Sequence, residues 1–127
     1  MVMGLTQMAA ILYALVIGIV VLFQFCLIMG APWGKITQGG RNEGPLPASG
    51  RLAATLSIPI LFFMGASITS AAGLVPNWTG WTAYAAIAIQ ALNTTLNLIT
   101  QSKPERILWG PITSIMLLIA ALVVFIK

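Results

Sequence analysis

The stretch from Met8 to Met29, MAAILYALVIGIVVLFQFCLIM, decides the fold class. It contains no charged residue and no proline, and its one strongly polar side chain is Gln24. A run of about 20 apolar residues matches the hydrocarbon thickness of a bilayer when wound as an α-helix. Backbone amides in lipid must bond within their own segment, so a helix is the expected form. Working outward, three more uncharged apolar stretches follow, at about 52–74, 81–100 and 107–126. With the first at about 8–29, they predict an all-α integral membrane four-helix bundle, one transmembrane domain over 1–127. Strands are not expected, because the alternation that a barrel needs is absent.

Composition agrees. Of the 127 residues, 59% are hydrophobic and only 6% charged, with a mean hydropathy of +1.00. Soluble domains carry about 25% charged residues, so this chain lacks the means to cover a surface in water. The N-terminal Met-Val-Met-Gly-Leu-Thr-Gln has no basic residue, and the apolar run after it exceeds a signal-peptide core. It is expected to stay as the first span. Cys26, the single cysteine, sits within an apolar run and reads as a small hydrophobe.

Charge clusters in two of the three connections. The first, 30–51, holds Lys35, Arg41, Arg51 and Glu43; the third, 101–106, holds Lys103, Glu105 and Arg106. The positive-inside rule assigns both to the cytoplasm. The expectation is a multi-pass protein of the cell inner (plasma) membrane with both termini outside. Lys127 is a mild counter-vote, since one terminal lysine can snorkel at either interface. Trp33 and Trp109 at one end, and Trp78 and Trp81 at the other, read as interfacial belts. Pro59 predicts a kink in the second span, and Pro111 is placed in the first turns of the fourth.

The chemistry available is narrow. The chain has no His and no Asp, which excludes Ser-His-Asp catalysis. No Cys, His or carboxylate cluster suggests a metal site, and no cofactor is expected. Glu43 and Glu105 read as local partners of Arg41 and Arg106, so no catalytic residue is assigned. Six basic residues in such a chain are no nucleic-acid footprint.

Two features stand above this background. In the third helix Gln90, Asn93, Thr94 and Asn97 fall on one face at 100° per residue, opposite Trp81, Ala85, Ala88, Leu92, Leu96 and Ile99. Such amides either join helices by hydrogen bonds or line a path for a polar solute. Gln24 on the first helix, and Thr55, Ser57, Thr69 and Ser70 on the second, are the expected partners. Gly65-x-x-x-Thr69 and Ala66-x-x-x-Ser70 permit close helix approach. The second feature is the loop 30–51, longer than a connector needs, with Gly39-Gly40, Pro45 and Pro47 setting its path. Its surface residues Trp33, Lys35, Arg41, Glu43 and Arg51, with Lys103, Glu105 and Arg106, form a candidate docking surface. The loop is either a solvated connector or packs on 102–109 or on a partner.

Gly30-Ala-Pro-Trp-Gly34, Gly39-Gly40, Leu46-Pro47 and Arg51 resemble the first cytoplasmic loop of a group of small bacterial four-span membrane proteins. Asn97-Leu-Ile-Thr100, Ser102, Glu105-Arg106 and Trp109-Gly-Pro111 resemble that group's junction between the third and fourth spans. The resemblance implies four spans and a bacterial origin, and no substrate. The family carries an acidic and an aromatic residue after Pro-Trp-Gly, where this chain has Lys35-Ile36. The expected function is a non-catalytic scaffold or accessory subunit that binds other membrane proteins. A small oligomeric transporter or channel for a polar solute, and an enzyme acting on lipid headgroups through Glu43 or Glu105, are the alternatives. Expected partners are membrane lipids and either further copies of the chain or other subunits of a membrane complex, with no nucleic acid.

Overall fold

A computed structural model describes residues 4–126. Lys127, and with it the counter-vote on orientation, lies outside the described residues. Four α-helices are present: α1 (Leu5–Ile28), α2 (Ala48–Ala71), α3 (Trp81–Ile99) and α4 (Lys103–Phe125). By length and composition α1, α2 and α4 are each apolar enough to cross a membrane. At 19 residues and uncharged, α3 is long enough, but its amides and hydroxyls leave it less apolar than the others.

The four pack in a ring, α1 against α2 and α4, α3 against α2 and α4, with α2 touching α4 across the diagonal. Neighbours run antiparallel. At one end the Gln7 amide reaches the Ala72 carbonyl, linking the start of α1 to the end of α2. There too the Tyr84 and Phe125 rings stand 6.0 Å apart, linking the start of α3 to the end of α4. The other end carries the long loop, and every charged residue described.

On α1 the inward face is Ala10, Tyr13, Ile17, Val21 and Leu27. The outward face, Leu12, Leu15, Ile19 and Leu22, is equally apolar and at least half exposed. A helix apolar on both faces suits lipid on its outer side and not water. Gly65 of α2 lets α1 come close: a Cβ there would sit 3.4 Å from Ile17 Cγ2, so the small-residue spacing serves the α1–α2 contact.

Three helix starts differ from the sequence expectation, α1 by three residues, at Leu5. α2 begins at Ala48 and α4 at Lys103, each four residues early. The cause at α4 is a cap: Ser102 Oγ accepts the Glu105 N–H, and Pro104 lies in the first turn, where its missing N–H costs nothing. Ser102-Lys-Pro-Glu105 carries the spacing of a capping box, the signal that was missed. Consequently Arg51, Lys103, Glu105 and Arg106 belong to first helical turns and not to loops. Pro111 then lies in the interior of α4, not in its first turn, with its ring exposed on the outer side. α2 runs on as a helix through Pro59.

Candidate functional site: a polar cavity beneath a folded loop

The third-helix stripe divides into two functions. Gln90 is 1% exposed and fully engaged. Its Oε1 accepts the Tyr13 hydroxyl at 2.8 Å, and its Nε2 donates to the Thr113 carbonyl at 3.1 Å. Thr94 Oγ1 donates to the same carbonyl at 3.0 Å. These bonds tie α3 to α1 and α4, and where helices meet in lipid each such bond is worth about 0.6–1.7 kcal/mol. Gln90 and Thr94 are therefore joints. The expected partners on the other helices do not reach them. Thr55 and Ser57 bond back to carbonyls four residues earlier in α2, Thr69 bonds to Ala66 and Val75, and Ser70 accepts from Trp78 N. Hydroxyls in helices commonly satisfy themselves in this way. Tyr13 and Thr113, which the sequence reading missed, are the true partners; a tyrosine inside an apolar span is the signal that points to one of them.

Asn93, Asn97 and Gln24 behave differently. Each is half-buried and lines a cavity of about 620 Å³ between the helices. Asn97 Nδ2 donates to the Asn93 carbonyl at 2.8 Å, and among the described residues its own oxygen accepts no bond. Among the described residues neither the Gln24 nor the Asn93 carboxamide bonds to protein. The cavity runs from Gln90 and Thr113 in the middle of the bundle to Gln101 and Arg41 at the loop end. Phe23, Met64 and Trp109 add apolar wall. A volume within about 300–1,000 Å³, mixed walls and a few unspent polar groups match small-molecule sites in general.

The long loop forms the end of this cavity. Short 3₁₀ turns at Gly34–Ile36 and Gln38–Gly40 fold it back on the helices. Trp109 Nε1 donates to the Ile36 carbonyl at 2.8 Å, and Ser102 Oγ to the Lys35 carbonyl. Gln38 Nε2 reaches the Gly50 carbonyl at 2.8 Å, and Gly34 N the Gly44 carbonyl at 2.9 Å. Arg51 Nε donates to the Leu46 carbonyl at 3.0 Å, so this cation braces the end of the loop from the first turn of α2. The loop thus packs on 102–109, one of the two arrangements the sequence left open. Trp109, two turns into α4 and not at its end, pins the loop. Trp33 stacks on Phe23, with centroids 5.5 Å apart.

The carboxylates pair otherwise than expected. Glu43 bonds to Lys35, at 3.2 Å, and not to Arg41; both side chains are largely exposed, so the pair contributes about 0–1 kcal/mol. Arg106 Nη1 donates to the Thr100 carbonyl at 2.8 Å and leaves Glu105 alone. Glu105 is 6% exposed and takes the Gly39 N–H on Oε2 at 3.3 Å. Glu105 lines the cavity and Glu43 does not, so the two do not converge on one substrate. Lys103 is exposed on the first turn of α4.

Comparison with protein-family models, curated proteins and solved structures gave no match.

Proposed function

We propose that this chain forms a four-span bundle in a bacterial inner membrane and binds a small polar solute in the cavity between its helices, as a transporter or channel that works without a catalytic step. The observation that carries this reading is the set of unspent amides: Gln24, Asn93 and Asn97 face space, while Gln90 and Thr94 are consumed in packing. These carboxamides are half-buried and keep polar atoms open to the cavity, where a solute can pair with them, whereas a polar group spent on packing has none to offer. The accessory-subunit reading rests on the scarcity of reactive side chains, and a cavity with free polar groups favours a solute instead.

In this arrangement α3 crosses beside the other three helices and turns its amides inward. The loop over 30–47 and the cationic helix starts face the cytoplasm, and both termini face outward. Several copies of the chain in one assembly are compatible with the apolar outer faces.

Two measurements test these points. Liposomes containing the purified chain should swell or shrink in response to gradients of urea, glycerol or amino acids at rates above empty vesicles. Flux equal to the empty control for every solute, with no binding, would overturn the reading. For orientation, a membrane-impermeant thiol reagent applied to intact cells should label Gly80→Cys, where a side chain has open space, and spare Glu43→Cys. The reverse pattern inverts the topology.

A further inference from the structure

The mouth of the cavity holds two opposite charges that do not touch. Among the described residues Lys35–Glu43 is the one ion pair within 4.0 Å. Glu105 and Arg41 both line the cavity, on either side of Gly39. The Gly39 N–H sits on Glu105 Oε2, and a side chain added to Gly39 would meet Arg41 Nε at 3.9 Å. Buried carboxylates are normally paired. Among the described residues Oε1 takes no protein hydrogen bond, yet no buried side-chain oxygen is left without a partner, so Oε1 keeps accessible surface on a residue that lines the cavity. Arg41 likewise makes no protein hydrogen bond among the described residues.

From this juxtaposition we infer that the cavity takes a small zwitterion, an ammonium and a carboxylate attached to one carbon, as in a free α-amino acid. The ammonium binds Glu105 Oε1, the carboxylate binds the Arg41 guanidinium, and the remainder lies toward Asn97 and Asn93. A charge-assisted bond at each end suits a ligand with no net charge. A simple amine would satisfy Glu105 and face Arg41 with a like charge. A simple carboxylate would meet the reverse conflict.

The inference rests on the solute reading above, and the experiment separates the two. Binding of glycine, L-serine and L-glutamine is measured by calorimetry on the chain in nanodiscs, beside ethanolamine and 3-hydroxypropionate, which are serine without its carboxylate and without its amine. At least one zwitterion should bind saturably, and both truncated probes about tenfold more weakly or worse. Arg41→Ala should weaken the zwitterion about tenfold and leave ethanolamine binding as tight or tighter, since a like charge is removed. Glu105→Gln should weaken both. Arg41 is exposed, so its variant reports even if Glu105→Gln fails to fold. Ethanolamine binding as tightly as L-serine, or zwitterion binding indifferent to Arg41→Ala, overturns the inference. Urea or glycerol flux without any zwitterion binding overturns it too, while leaving the solute reading in place.

Discussion

Gly34→Val should detach the folded loop from the bundle and cost about 2–4 kcal/mol, the sum of overpacking and one lost backbone hydrogen bond. Gly34 is buried, and a Cβ there would overlap the Asn42 carbonyl oxygen, reach Gly44 O at 2.8 Å and Asn42 C at 3.0 Å. These neighbours are backbone, so no rotamer change relieves the clash. The same glycine supplies the N–H that closes the loop onto Gly44 O at 2.9 Å. Its φ lies outside the left-handed region, so the effect is purely one of space. Thermal unfolding in mild detergent should begin earlier, with a protease-sensitive site appearing within 34–47. Trp33 and Trp109 fluorescence should shift as both indoles lose their packing. Gly44→Ala is the matched control: its Cβ meets open space, but φ is +72°, and the strain of that conformation costs about 1–2 kcal/mol. Equal stability of Gly34→Val and wild type would mean that the loop is not held as described.

The gap between these two glycines shows what the sequence could and could not convey. Gly34, Gly39-Gly40 and Gly44 announce a shaped loop, and the apolar stretches announce helices, because composition and local conformation are properties of short segments. Where the loop goes is set by bonds such as Trp109 to Ile36 and Ser102 to Lys35, which join residues 73 and 67 apart in the chain. Nothing local encodes them. The pairing of Glu43 with Lys35 and the isolation of Glu105 follow from that fold-back. Helix starts sit between these extremes: the Ser102 cap is written in the sequence, but charge at Lys103, Glu105 and Arg106 reads as loop when hydropathy alone draws the boundary. The polar face of α3 was legible from its period. Its division into joints and free amides was not, because Tyr13 and Thr113 decide it from other helices.

That division yields the sharpest test of the cavity. Gln90→Leu removes the acceptor for the Tyr13 hydroxyl and leaves that buried group without a partner, at a cost of about 1–3 kcal/mol. Asn93→Leu combined with Asn97→Leu removes one bond along α3 itself, Asn97 Nδ2 to Asn93 O, and no bond between helices. It should therefore leave the unfolding temperature near or above wild type, since two amides are exchanged for apolar side chains. In liposomes the same double variant should abolish solute flux, because two branched apolar groups replace the polar wall and fill the space. Tyr13→Phe, which keeps Gln90's bond to Thr113, should lower stability by about 0.6–1.7 kcal/mol and retain flux. Stability and flux should thus separate along a single helix within two turns: Gln90 governs the first and Asn93 with Asn97 the second. If the double variant instead unfolds as early as Gln90→Leu, the lower amides are joints as well and the cavity is a packing gap. If it folds well and conducts like wild type, the solute takes another route, and Asn93 and Asn97 are no part of it.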